Sequence, residues 1–185
     1  MNVKQVIKKT AIYFGRNDIV SYIEDGNSQA SQLTKETVDK MVLLLNTVVS
    51  ELCATFVPII TTEEIKAEKE LYYSKLSNKV IDIVGVYDHN GNKVDFEVSF
   101  DHAKIAAPCC KVEYKMMPND YTIDSEMHYQ EKDISSSALA YGLAAEFALT
   151  EGDYDLACVY RERYVNCVYA TKKMYNCMVK QRRWA

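Results

Sequence analysis

A chain of 185 residues, 48% apolar and 26% charged, is long enough for one core with a modest insertion and too apolar to stay unfolded. Its formal net charge of −4 gives no general basis for gripping a phosphate backbone, which needs clustered Lys and Arg. The longest apolar run, Met41 to Phe56, is broken by Asn46, Thr47, Ser50 and Glu51, so no membrane span is predicted.

The basic start MNVKQVIKKT lacks the apolar run and cleavage site of a secretory signal, which points to synthesis in the cytosol. Two short helices are predicted from Val3 to Tyr22, interrupted near Gly15 and Asn17, followed by a polar loop from Asp25 to Gln32. The next helix has the clearest periodicity: Val38, Met41, Val42, Leu45, Val48, Val49, Leu52 and Phe56 recur at steps of three and four, so one face is buried. Thr34 is its expected N-cap, with Leu33 and Val38 forming a hydrophobic staple and Pro58 stopping the helix.

From Glu63 to Met117 the period changes to two. Asn90-Gly91 suits a two-residue type I′ turn, which would pair Tyr87 with Val94, Gly85 with Phe96, Ile83 with Val98 and Ile81 with Phe100 on one apolar face. Strands are expected at Ile65 to Tyr73 and at Lys111 to Met117, where Val112, Tyr114 and Met116 alternate with charged residues. An irregular connector leads to a helix rich in small residues, Ile134 to Leu149. Gly152 then suits a C-cap and Asp153 an N-cap, joining it to a final helix running towards Lys180 with Ala157, Tyr160, Tyr164, Val168, Tyr175 and Met178 on one stripe.

This order reads as an α+β fold, an antiparallel helical bundle with an inserted small antiparallel β-sheet or hairpin domain. The expected parts are residues 1–62 as N-terminal helices, 63–118 as the β insertion, and 119–185 as connector, helical hairpin and tail.

Little in the chain reads as chemistry. His89, His102 and His128 lie in or near loops with no nucleophile motif beside them, and Asp101-His102 reads as a surface pair at a strand end. Asp153 has a capping role, and Glu63-Glu64 becomes an acid–base pair only through tertiary geometry. Cys53, Cys109, Cys110, Cys158, Cys167 and Cys177 form no C-x-x-C pair and read as free thiols. No catalytic residue, cofactor or metal ligand is assigned, and a non-enzyme is expected. Two features point to partners. The last two helices carry more tyrosines than one stripe can bury, and the ending Lys180-Gln181-Arg182-Arg183-Trp184-Ala185 combines cations with the sole Trp, residues enriched at binding hot spots.

The C-terminal third carries V-E-Y-K-M-M-P at Val112 to Pro118, A-L-A-Y-G-L-A-A-E-F-A-L-T-E-G-D-Y-D-L-A at Ala138 to Ala157, R-E-R-Y at Arg161 to Tyr164, and the R-R-W ending. In this order they resemble the head-to-tail adaptor, or connector, proteins of tailed bacteriophages. The resemblance covers roughly Lys111 to Ala185 and rests on packing patterns. It implies a homo-oligomeric ring between the portal protein and a tail protein in the virion, with subunits held in the host cytoplasm before assembly. Genome DNA would pass through without sequence-specific binding, and no membrane would be involved. It implies that Arg182, Arg183 and Trp184 dock on the portal, that the helices meet neighbouring copies, with Tyr154, Tyr160, Tyr164 and Tyr169 at the subunit interface, and that the β insertion faces the tail. The alternatives are another tail-completion or connector component, a small cytosolic enzyme using Asp101, His102 or a cysteine, or a nucleic-acid module gathering Lys8, Lys9 and Arg16.

Overall fold

The computed structural model describes residues 1–25 and 30–176. The chain divides into two compact units: residues 52–119 form one, and the segments before and after them form the other.

The first unit is helical: α1 (Val3–Tyr13), α2 (Asn17–Asp25), α3 (Gln32–Glu51), α4 (Ser136–Glu151) and α5 (Tyr154–Asn176). Asn2 caps α1 by accepting from the Gln5 amide at 2.9 Å. The apolar stripe of α3 is buried from Val38 to Val49, and the chain continues past it through a π-helical turn, Leu52–Phe56, in the second unit. The cap of α3 differs from expectation. Ser31 Oγ accepts from the Thr34 amide at 3.1 Å, one turn earlier than predicted, while Leu33 is exposed and staples nothing. Thr34 turns inward instead and donates to Asp18 at 3.0 Å.

Helix α4 is buried nearly all round and packs against α1, α3 and α5. Its small residues permit this, and Gly142 shows why: an added Cβ would sit 2.7 Å from Val48 Cγ1 and 3.1 Å from the Tyr164 ring. Thr10, buried on α1, donates to the Val6 and Ala140 carbonyls at 3.1 and 3.3 Å.

The second unit corrects the expected architecture. The molecule is α+β, 49% helical and 25% strand, but its strands form a curled antiparallel half-barrel sheet, not a hairpin inserted in a helical bundle. Seven strands contribute: β1 (Ile59–Ala67), β2 (Glu70–Tyr72), β3 (Lys79–Tyr87), β4 (Lys93–Val94), β5 (Phe96–Val98), β6 (His102–Ile105) and β7 (Cys109–Met117). Four are hydrogen-bonded in the order β1-β7-β3-β4 and three in the order β2-β6-β5. They enclose their own core of Leu71, Ile83, Val86, Val94, Ile105, Val112, Tyr114 and Met116. The alternation predicted for β7 holds, with Val112, Tyr114 and Met116 all buried.

The predicted long hairpin does not form. Asp88 and Asn92 close a three-residue loop, His89-Asn90-Gly91, in which Gly91 takes a positive φ of 81° and the Asp88 carboxylate accepts from the Asn90 and Asn92 amides. The register therefore slips by one, pairing Val86 with Val94 and Tyr87 with Lys93, and a one-residue slip exchanges the faces of a strand. Val86, expected on the polar face, is fully buried. Beyond Val94 the partnership ends: β5 pairs with β6, and β3 pairs along its length with β7 through two irregularities in register. Ile81 and Val98 are consequently exposed, and Phe100, placed inside by the hairpin register, lies wholly in solvent.

Candidate functional site

The exposed face of the α4–α5 hairpin is the candidate interaction site. Ser135 starts α4, accepting from the Ala138 amide at 3.1 Å, and Gly152 ends it at a φ of 81°, a left-handed C-cap that glycine adopts without a Cβ clash. Asp153 Oδ1 then accepts from the Leu156 amide at 3.1 Å and starts α5. Both caps stand where the sequence placed them.

Two stripes run along α5. Ala157, Tyr160, Tyr164 and Val168 point inward and are buried, as the spacing predicts. Tyr154, Cys158, Arg161, Val165 and Tyr169 follow the same three-to-four spacing on the other side, where Tyr154 is 69% and Tyr169 51% exposed. Between this outer stripe and α4 lies an open groove of about 620 Å³, lined by Ala145, Leu149, Ala157, Cys158 and Val165 with Glu146, Arg161 and Glu162 at its polar rim. Leu149, one of its lining residues, is 45% exposed.

The four tyrosines assigned to subunit contacts thus separate. Tyr160 and Tyr164 are buried inside their own unit, so their bulk serves the core. Tyr160 belongs to an aromatic cluster with Tyr13, Phe14 and Tyr141, in which the Tyr13 and Tyr141 rings stack at 5.2 Å and the Arg163 guanidinium covers Tyr141 and Tyr160. Burial, reinforced by the hydrogen bond with Tyr141, pushes the Tyr13 phenol up to about 12. Burial likewise raises Tyr164, whose hydroxyl is enclosed without a hydrogen-bond partner. Tyr154 and Tyr169 remain on the outer face. Arg182, Arg183 and Trp184, the expected portal-docking residues, lie outside the described residues, as does Met178 of the predicted stripe.

Arg161 is held by a bidentate pair with Glu51, Nη1 donating to Oε2 at 2.8 Å and Nη2 to Oε1, and this carboxylate raises its already high pKa. The pair joins α3 to α5 and fixes the rim of the groove. Residues 110 positions apart offer no sequence signal for it.

The remaining candidates are dispersed. Asp101 and His102 do meet, Oδ1 to Nδ1 at 2.7 Å, and the imidazole holds the Asp101 carboxyl below its usual range; His102 tilts against the Tyr72 ring, leaving its buried Nε2 without a hydrogen-bond partner. His89 sits in the loop closed by Asp88 and Asn92, and His128 bonds to the Tyr121 hydroxyl at 2.7 Å. Glu63 accepts from the Ser77 amide and hydroxyl and from the Tyr114 hydroxyl; these bonds lower its pKa and make it a fastening point within the sheet. Lys8 is paired with Glu24, Lys9 donates to Ser136 and Ser137, and Arg16 is paired with Asp18, so these three cations are engaged locally. Among the described residues Cys53, Cys109, Cys110, Cys158 and Cys167 are free thiols, and burial raises Cys109. Also among the described residues, no group of acidic, His and Cys side chains is placed to hold a metal, and no helix is long and apolar enough to cross a membrane.

Comparison of the chain with protein-family models and with curated proteins finds no match.

Proposed function

We propose that this chain is a structural component of a tailed-bacteriophage particle, a head-to-tail adaptor whose copies form a ring between portal and tail. The observation that carries the reading is the outer face of the α4–α5 hairpin. This is the segment whose residue pattern resembles the adaptor family, and it presents Leu149, Tyr154 and Tyr169 to solvent beside a groove of mixed apolar and charged lining. Large aromatic and aliphatic side chains held on rigid helices, with charges at the edge, make the anatomy of a protein–protein contact. Tyr154 and Tyr169 are the residues assigned to the lateral contact. Tyr160 and Tyr164, assigned with them from the sequence, are buried.

In this reading the half-barrel unit faces the tail, and Phe100 at the β5–β6 turn is its most exposed apolar side chain. The tail residues Arg182, Arg183 and Trp184 meet the portal. The partners are therefore the portal protein, a tail protein and further copies of this chain, in a virion assembled from subunits held in the host cytoplasm.

Quantitative mass spectrometry of purified phage particles from the source culture tests the proposal. The expected result is this chain at a low, ring-like copy number per particle. Its absence from complete particles would refute the assignment.

A further inference from the structure

At the tip of the β5–β6 hairpin Phe100 lies wholly in solvent, yet the turn that presents it is fastened on several sides. The Ser99 amide donates to the His102 carbonyl at 2.9 Å, the Tyr73 amide to the Asp101 carbonyl at 3.0 Å, and the Tyr73 hydroxyl to the Ser99 carbonyl at 3.2 Å. His102 adds its 2.7 Å bond with Asp101 and packs on the Tyr72 ring. An aromatic ring placed in advance loses little further freedom when a partner covers it, which suits it as a docking anchor. Its surroundings are acidic. From Asp95 to Lys104 the exposed carboxylates of Asp95, Glu97 and Asp101 stand against the single ammonium of Lys104.

The same unit holds a cleft of the opposite character. It opens over about 470 Å³ between the end of β1, the start of β7 and the His89-Asn90-Gly91 loop, with Ile65 and Cys110 as uncharged walls and Lys66 and Lys111 as cations. Two carboxylates also line it. Asp88 accepts from the Asn90 and Asn92 amides and from the Asn92 side chain, so its charge is spent within the loop. Glu64 stands opposite Lys111 in the β1–β7 ladder, and the register sets Lys93 and Lys111 on either side of Tyr87. Among the described residues the exposed Lys66, Lys93 and Lys111 enter no ion pair. Three ammoniums thus stand against one unspent carboxylate at this end of the sheet. The fitting ligand is an apolar ring flanked by acids.

Phe100, being wholly exposed, does not occupy the cleft of its own unit. We infer that Phe100 of one copy seats in the cleft between Ile65 and Cys110 of a second copy, with Glu97 and Asp101 against Lys66 and Lys111. Knob and cleft are different surfaces of one unit, so the contact runs head to tail, and each added copy offers a new free knob or cleft until the series closes. The inference goes beyond the adaptor reading, whose lateral contact lies on the α4–α5 face, and it requires neither portal nor tail.

Two forms of the full chain separate the knob from the cleft. One carries Phe100→p-benzoylphenylalanine with Lys66→Glu and Lys111→Glu, which leaves a photoreactive knob and a reversed cleft. The other carries Phe100→Ser and a heavy-isotope label, which leaves the cleft alone. All three positions are exposed, and both forms are required to match the unsubstituted chain in circular dichroism and melting. They are illuminated singly and mixed across a hundredfold range of concentration, and the adducts are mapped by mass spectrometry. The expected result is a one-to-one mixed adduct joining position 100 of the first form to Ile65, Lys66, Cys110 or Lys111 of the second, rising with concentration, and severalfold less adduct from the knob form alone. The absence of a mixed adduct, an adduct mapped elsewhere, or an equal yield from the knob form alone overturns the inference. A chain present in particles without this adduct would strike the contact and leave the adaptor reading standing; the adduct in a chain missing from particles would do the reverse.

Discussion

Asp18 shows how much one carboxylate can organise. It receives the Arg16 guanidinium through Nε at 2.9 Å and Nη2 at 2.8 Å, and the Thr34 hydroxyl at 3.0 Å, tying the start of α2 to the start of α3. The Arg16 bonds hold its carboxyl well below the usual carboxylate range, with Thr34 adding to the effect. A folded-state pKa below the unfolded one adds stability above the unfolded value of about 4, and that stability is withdrawn as pH falls towards the folded pKa. Asp18→Asn should therefore lower the urea midpoint at neutral pH, by an amount tempered by solvent screening at this half-exposed site. The gap to the parent should close progressively below about pH 4. A gap unchanged across that range would show that the ionised carboxylate is not the source. Of this arrangement, sequence revealed only that Thr34 stands near a helix start. Its inward turn to Asp18 depends on where α2 passes α3.

At the scale of elements, α4 is the piece whose character was most legible and whose consequences were least so. The run of Ala and Gly announces close packing, but which neighbour presses on which position is a matter of helix crossing. At Gly142 the neighbours are Val48 on α3 and Tyr164 on α5. Gly142→Ala should destabilise the protein by roughly 1–3 kcal/mol, because a β-branched valine has little rotamer freedom with which to retreat. In a Val48→Ala background the same change should cost less, a coupling that a double-mutant cycle in urea unfolding measures directly. Equal costs in both backgrounds would mean that the contact does not constrain α4. The sheet teaches the complementary lesson. β7 was readable because unbroken alternation states its buried face. β3 was not, because its two irregularities in register change which residues point inward, and the choice between a two- and a three-residue loop at Asn90-Gly91 exchanges the faces of the adjoining strand.

Taken whole, the chain divides into two compact units. Residues 52–119 form one, and its buried cluster includes Leu71, Ile83, Val86, Val112, Tyr114 and Met116. A fragment of residues 52–119 should fold alone, giving a β-type circular dichroism spectrum and a cooperative melt. A domain of that size buries only about 60% of its unfolded surface, so its stability should be modest. A coil spectrum for the fragment would show that its core needs the rest of the chain.

Sequence by itself determined the α+β class, the buried stripes of α3 and α5, the alternation of β7, the Gly152-Asp153 junction and the small-residue character of α4. Each is a local preference written in spacing or in a residue with a particular backbone freedom, and neither needs a distant partner to be stated. Tertiary structure alone decided the curled half-barrel in place of a hairpin on a bundle, the register around Gly91, the burial of Tyr160 and Tyr164 beside the exposure of Tyr154 and Tyr169, and the Glu51–Arg161 pair that rims the groove. Those depend on which segments far apart in the chain come into contact, and that is settled by the burial of all their faces at once, not by the pattern of any one of them.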